Sequence, residues 1–212
     1  MFRRGVIVMA LCVAVFSLLS GKAYAAAKPA AAKPGATLAN LLSAYNGEKN
    51  AQVRYMSFAQ QADKEGYKGV ASLFRAAARS EQVHYEGHER AIKELGGVPK
   101  VNMLATPVKS TKENLETAIN GENYESGKMY PEFLAQAEKD KVKPAIASFK
   151  GAVRVEAVHA QLFKKALKDL DSWKGQKKDF FVCLVCGNVT ENKPPMVCSI
   201  CGAPKEKFTA VN

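Results

Sequence analysis

The sequence predicts a mainly α protein, a four-helix bundle followed by a small metal-binding module. Three observations predict it. Apolar residues recur at helical spacing in four long stretches, glutamates and histidines fall on those same apolar stripes, and two Cys-x-x-Cys pairs close the chain. With 212 residues, 47% of them hydrophobic and only 9 prolines, the chain can build one main core and a small appendage.

Residues 1–25 read as a secretory signal: Arg3 and Arg4, an apolar run over residues 6–19, then Ala23-Tyr24-Ala25 ahead of a cleavage point. The run has about 14 residues, short of the roughly 20 a spanning helix needs, so no membrane span is expected in the mature chain. Phe2 and Gly5-Val6-Ile7 around the arginine pair match a twin-arginine signal poorly, which favours general secretion and a periplasmic or otherwise exported protein. Cleavage removes Arg3, Arg4 and Lys22 from 31 basic residues, leaving 28 against 20 acids and a net charge of +8. The lysines are spread over all the helices with no basic run interleaved with aromatics, the pattern of a solvated surface rather than of a nucleic-acid site. Cleavage also removes Cys12 and leaves four cysteines, an even set where disulfides are permitted.

Residues 26–36, rich in Ala, Lys and Pro, read as a flexible tether. The bundle is expected over residues 37–172. Thr37 is a candidate N-cap for the first helix, whose stripe runs Leu38, Leu41, Tyr45, Glu48, Gln52, Tyr55, Ala59. Gly66 marks a turn, and the second stripe follows as Val70, Phe74, Ala77, Glu81, His84, His88, Ile92, Leu95. Gly96-Gly97-Val98-Pro99 stops that helix, and irregular residues 100–110 suit a crossover along the bundle. Ser110 or Thr111 caps the third helix, with the stripe Leu115, Ala118, Glu122, Glu125, Met129, Phe133 and a kink expected at Pro131. Pro144 fits the first turn of the fourth, which carries Ile146, Phe149, Val153, Glu156, His159, Phe163, Leu167 and Leu170. Residues 173–180 read as a polar linker. The module over residues 181–212 is too short to bury an adequate core and needs a staple.

The two halves of the bundle repeat. Glu48 precedes Glu122 by 74 residues, while Glu81 and His84 precede Glu156 and His159 by 75, as in a duplicated helical hairpin. Glu125 breaks the symmetry, since Ala51 stands at its counterpart.

A single glutamate on an apolar stripe ordinarily sits at a boundary with its head in water. Five glutamates and two histidines on the inward stripes of four helices, with no matching arginines or lysines, need another explanation, because a buried unpaired carboxylate is very costly. In Glu81-x-x-His84 and Glu156-x-x-His159 the two side chains share one face about 4.5 Å apart along the axis and can reach one point. Two such helices with two that supply glutamate form a dinuclear ligand set, suited to iron or manganese. His88 is expected beside the site or at the surface rather than on a metal. Tyr55 and Tyr130 read either as core aromatics or as phenols that hydrogen-bond a ligand carboxylate. Cys183, Cys186, Cys198 and Cys201 form a four-thiolate set for iron or zinc, and Gly187 and Gly202 permit the positive φ that brings backbone N–H groups toward sulfur.

Over residues 38–208 the sequence resembles the rubrerythrins, in Asn46-Gly47-Glu48, Glu81-x-x-His84, Gly121-Glu122-Asn123-Tyr124-Glu125, Met129-Tyr130-Pro131-Glu132-Phe133, Glu156-x-x-His159 and the cysteine pairs. The resemblance implies a ferritin-like bundle holding an oxo-bridged di-iron centre, joined to a rubredoxin-like domain with one tetrathiolate iron. It implies reduction of hydrogen peroxide to water in oxidative-stress defence, with electrons from a redox donor protein. On this likeness Glu48, Glu81, Glu122, Glu125, Glu156 and His159 bind the oxidised pair, and His84 replaces Glu125 on reduction. Glu125, His84, Tyr55 and Tyr130 are then the candidate catalytic residues. A homodimer in which the cysteine site of one subunit faces the di-iron site of the other is also implied. Ser199 stands where such knuckles usually carry proline, and zinc remains an alternative to iron there. The competing function is a ferroxidase or iron-handling bundle with a structural zinc tail, although pure storage has no use for an electron relay.

Overall fold

The computed structural model describes residues 35–212; the expected signal and most of the tether lie outside the described residues. The helices are α1 (Ala36–Lys64), α2 (Lys68–Glu94), α3 (Thr111–Tyr124), α4 (Tyr130–Lys139) and α5 (Lys143–Lys168), with a π-helical turn, Glu125–Met129, between α3 and α4. A short 3-10 turn, Leu170–Trp173, leads to strands β1 (Phe180–Cys183), β2 (Val189–Glu191) and β3 (Phe208–Val211). They form an antiparallel sheet of order β2-β1-β3, in which Phe181 pairs with Thr190 on one side and Ala210 on the other. No helix among the described residues is long and apolar enough to cross a membrane.

Local chemistry sets the helix ends. Gly35, not Thr37, is the N-cap of α1; Thr37 lies inside the first turn, buried, and donates from Oγ1 to Asp140 Oδ2 at 2.7 Å. Its hydroxyl thus ties α1 to the turn that joins α4 and α5. Gly66 ends α1 at φ +81°, a conformation that glycine adopts without a Cβ penalty. Ser110 caps α3 in a reciprocal capping box with Glu113. The crossover is pinned to α1 by Asn46, whose Oδ1 accepts from Asn102 N at 2.7 Å, and by Asn50, which accepts from Leu104 N at 2.7 Å and donates to Asn102 O at 3.0 Å.

Pro131 acts earlier in the chain than its own position. It brings no N–H, and its ring would crowd the carbonyl one turn back, so the preceding turn widens and Tyr130 N–H reaches Glu125 O in a π-type bond. The third bundle helix is therefore α3 and α4 in series. Trp173 corrects the linker reading: it is 2% exposed and stacks on Phe180, centroids 6.4 Å apart, so the chain enters the sheet through the core.

Between two apolar clusters lies a polar layer. One cluster gathers Tyr55, Phe58, Phe74, Phe163, Trp173 and Phe180; the other gathers Leu41, Tyr45, Ile92, Tyr130 and Phe149. On α1, α2 and α5 the switch from one cluster to the other falls at the glutamates and histidines, and on the third bundle helix α3 faces the first cluster and α4 the second, with Glu122 near the end of α3.

Candidate metal centres

Four helices deliver six side chains into that layer: Glu48 from α1, Glu81 and His84 from α2, Glu122 from α3, and Glu156 and His159 from α5, none more than 5% exposed. They form two groups whose ligand atoms lie within 4.8 Å of one another: Glu48, Glu81, His84 and Glu156, and then Glu81, Glu122, Glu156 and His159. Glu81 and Glu156 belong to both, as bridging carboxylates must. His84 Nδ1 stands 2.8 Å from Glu156 Oε1 and 3.0 Å from Glu81 Oε2, while His159 Nδ1 is 2.9 Å from Glu156 Oε2 and 3.3 Å from Glu81 Oε1.

A cation pair fits these residues. Glu48 Oε2, Glu81 Oε1, Glu122 Oε2, both oxygens of Glu156 and both ring nitrogens of His159 are buried without a hydrogen-bond partner. Lone pairs converge on shared points and nothing neutral satisfies them. Burial, with repulsion from Glu81 and Glu156, pushes the Glu48 carboxyl well up, and burial raises Glu122 to about 8. Burial would raise Glu81 too, but His159 and His84 pull it down to about 2. Burial lowers the two histidines, yet the facing glutamates carry both well above the ordinary value.

Glu125 belongs to neither group; it stands half-buried at the start of the π turn, near enough to the site that burial and repulsion from Glu48 and Glu122 push its carboxyl well up. The two tyrosines act across the bundle. Tyr55 donates to Glu122 Oε1 and Tyr130 to Glu48 Oε1, so each carboxylate at an outer end of the pair is held by one phenol. Tyr55 shares a helix with Glu48 but serves Glu122, a pairing that needs the third dimension to be seen. His88, expected beside the site or at the surface, is fully buried, with Nε2 2.9 Å from Tyr130 Oη and Nδ1 2.8 Å from Ser148 Oγ.

The four cysteines also converge, with sulfurs 3.8 Å apart for Cys183 and Cys201 and 3.7 Å for Cys186 and Cys198. A tetrahedron with metal–sulfur bonds of about 2.3 Å has edges of about 3.75 Å, so the set suits one four-coordinate ion. Gly187 and Gly202 take φ +86° and +76° behind their knuckles.

The knuckle carrying Cys186 rests on α2 of the same chain, a contact that the resemblance placed between subunits. His84 Nε2 lies 3.0 Å from Cys186 O, and Ser80 Oγ donates to Gly187 O at 2.6 Å. A Cβ at position 187 would fall 2.5 Å from Ser80 Oγ and 2.6 Å from His84 Nε2, so the approach requires glycine as well as the positive φ. Arg154 secures the other knuckle, donating to Ile200 O at 2.6 Å and Ser199 O at 3.0 Å. Sequence reasoning missed Ser80 and Arg154; the one signal was a serine one residue before Glu81 on a helix whose neighbours carry ligands.

Comparison with known proteins agrees with this geometry. The family model described as rubrerythrin matches residues 39–167, and that of the rubrerythrin rubredoxin-like domain matches residues 181–209. Nigerythrin of Nitratidesulfovibrio vulgaris is 35% identical over 83% of this chain and 87% of its own. Rubrerythrin-2 of Clostridium acetobutylicum is 36% identical over 80% and 94%. The solved structure of nigerythrin in a mixed-valence state superposes with a TM-score of 0.77 at 32% identity, covering 84% of this chain and 88% of that one. The Glu/His cluster is thus a ferritin-like di-iron site and the cysteines a rubredoxin-like site. The chain belongs to the rubrerythrin family.

Proposed function

We propose that this protein is a peroxidase that reduces hydrogen peroxide to water at the Glu/His site, with the four-cysteine site as the point of electron entry, in defence against oxidative stress. The observation that carries the reading is the position of His84. One ring nitrogen faces Glu81 and Glu156, and the other meets the carbonyl of Cys186. A ring that binds metal through Nδ1 keeps its proton on Nε2 and donates it to that carbonyl, which fixes both its tautomer and its orientation. A storage protein has no need for such a junction.

When bound, an iron pair held by Glu48, Glu81, His84, Glu122, Glu156 and His159 supplies two electrons to the O–O bond, and an iron held by the four cysteines replenishes them. The protein's own groups do the rest. Tyr55 and Tyr130 hold the outer carboxylates, the two apolar clusters keep bulk water from the layer between them, and Ser80 and Arg154 fix the knuckles. His84 lies within a ligand group while Glu125 stands at its edge, where burial and repulsion from Glu48 and Glu122 push its carboxyl well up, so both residues are within reach of the same end of the site and an exchange between them is part of the proposed cycle. The reading includes export, supported by the charged start, the apolar run and Ala23-Tyr24-Ala25.

The test is an anaerobic titration of the fully reduced, iron-loaded mature protein with hydrogen peroxide. One peroxide should be consumed for every two electrons lost, with water as the only product. Slow reaction with peroxide but rapid oxidation of added ferrous iron would favour the iron-handling alternative. One zinc in place of iron at the cysteines would favour a structural tail.

A further inference from the structure

Peroxide reduction consumes protons as well as electrons: one H2O2, two electrons and two protons give two waters. The polar layer is enclosed above and below by apolar clusters, and at its side His84 meets a groove between α2 and α5, so protons bound for the Glu48 end of the site need a route.

A directed chain of hydrogen bonds crosses that enclosure. Tyr130 has one hydroxyl proton, and it is given to Glu48 Oε1. The 2.9 Å contact between Tyr130 Oη and His88 Nε2 must then be a donation from the ring, so His88 is the Nε2–H tautomer. That leaves Nδ1 as an acceptor, and Ser148 Oγ, 2.8 Å away, donates to it. Every donor in the series Ser148, His88, Tyr130 points inward to Glu48. Burial, with His84 nearby, holds the His88 pKa down at about 3, so the ring rests neutral.

The outer end opens on solvent. Ser148 is half-buried and lines a groove of about 960 Å³ between α2 and α5, beside the exposed Cys201. Across from it stands Gly87, where a Cβ would come within 3.3 Å of Ser148 Oγ. The absent side chain leaves the hydroxyl room to turn between His88 and groove water. Inside, the rings of Tyr130 and Phe149, with centroids 5.8 and 5.6 Å from that of His88, wall the imidazole from other polar groups.

We propose that Ser148, His88 and Tyr130 form the proton inlet of the Glu/His site, with His88 as its relay and positioning residue. The inference rests on the peroxidase reading. In one inward pass a groove water gives a proton to Ser148 Oγ, which releases its own to His88 Nδ1. The Nε2 proton moves to Tyr130 Oη, and the former Tyr130 proton passes to the Glu48 edge of the site and on to a peroxide oxygen that leaves as water. Each bond to hydrogen that breaks is matched by one that forms, and the hydroxide left in the groove is neutralised by bulk solvent. A pass leaves His88 protonated on Nδ1, and the ring regains the Nε2–H form by giving that proton back to solvent and taking one on Nε2 before it relays again. Two passes, each followed by that reset, and the two electrons from the reduced protein complete the equation.

Two measurements test the inlet, one independent of turnover. In zinc-loaded protein labelled with 15N-histidine, NMR should show His88 neutral and protonated on Nε2, with that proton exchanging with solvent through Ser148. In stopped-flow mixing of reduced, iron-loaded protein with peroxide, His88→Gln and Ser148→Ala should each slow oxidation by about a hundred-fold, the scale of a lost proton-transfer group. Glutamine can still donate to Tyr130 and accept from Ser148 but does not relay a proton, so iron content and the oxidised visible spectrum should stay at the wild-type value. Ser148→Ala should also slow the Nε2–H exchange by a comparable factor. An Nδ1–H tautomer, or wild-type oxidation rates in both variants, would overturn the inlet; were the glutamine variant to lose iron, the Ser148→Ala rate would decide. If the wild-type protein itself ignores peroxide, the peroxidase reading fails, while the tautomer and exchange data still report whether the relay is built.

Discussion

His84 Nε2 lies 3.0 Å from the carbonyl oxygen of Cys186, so a single imidazole joins the ligand set of the bundle to the ligand set of the cysteine module. The covalent path from Cys186 Sγ through its own carbonyl and this hydrogen bond to a side chain among the glutamates is short, and it lies within one chain.

Gly187→Ala should break that junction without removing a ligand. The substitution places a Cβ 2.6 Å from His84 Nε2 and puts a side chain at φ +86°, a conformation costing about 1–2 kcal/mol for a non-glycine residue. Both metal sites should load, because the ligands are unchanged, while electron transfer between them slows. The check is the rate of re-reduction of the di-iron site after a peroxide pulse; an unaltered rate would remove the knuckle from the path.

The tyrosines offer a matched pair. Tyr55→Phe and Tyr130→Phe each leave a buried carboxylate oxygen without its donor, at a cost of about 1–3 kcal/mol. Loss of such an outer hydrogen bond weakens metal binding by roughly 10–100-fold. Iron retained during dialysis against a chelator should fall in both variants. Equal retention in wild type and both variants would show that the phenols are only core aromatics.

The metal-free protein should lose stability as pH rises from about 5 to about 8. Unfolded, Glu122 ionises near 4.5, but in the fold burial holds it protonated until about 8, so over that window the folded chain keeps a proton the unfolded chain has lost. His84 and His159, raised by facing glutamates against the effect of burial, act in the same sense: their contribution is present below about 6.5 and lost at higher pH. Glu81, at about 2, works oppositely but only below about 4.5, and His88, at about 3 in the fold, opposes the trend up to about 6.5, one group against the raised Glu48 and Glu122. Metal loading expels these protons and should abolish the trend. Thermal melts of both forms check it; a metal-free protein that stabilises toward pH 8 would contradict the charge assignment.

Export predicts a mature chain that begins at Ala26. Intact mass of protein recovered from the native cell envelope is the measurement, and full-length chain in the cytosol would overturn it.

Much of the bundle was legible in the sequence because its information is periodic. Glu48, Glu81, His84, Glu122, Glu156 and His159 could be assigned to one layer since each interrupts an apolar stripe at the same level of a duplicated hairpin, and Cys-x-x-Cys spacing carries its own geometry. What was hidden depends on contacts between elements. Trp173 sits in a lysine-rich segment and looked like linker, yet it stacks on Phe180. Thr37 has a cap's chemistry, but Asp140, 103 residues away, takes its hydroxyl. Ser80, Arg154 and Ser148 are ordinary surface types in the sequence, and their importance comes from a knuckle, a second knuckle and a histidine that only the fold brings to them. Glu125 followed the stripe rule as far as the edge of the site, where Glu48 and Glu122 repel it; the π turn that begins at that residue was not legible.

The central claim is that electrons cross from the cysteine site to the Glu/His site and on to peroxide. Its most direct test is a stopped-flow record of the fully reduced mature protein, with about three irons per chain, one for each ligand group, mixed anaerobically with peroxide. The account predicts that peroxide is consumed first and that the bleached thiolate-to-iron absorption then returns within the same turnover, whereas Cys183→Ser with Cys198→Ser consumes one peroxide and stops. Peroxide consumption in the wild-type protein with the thiolate band still bleached would contradict it.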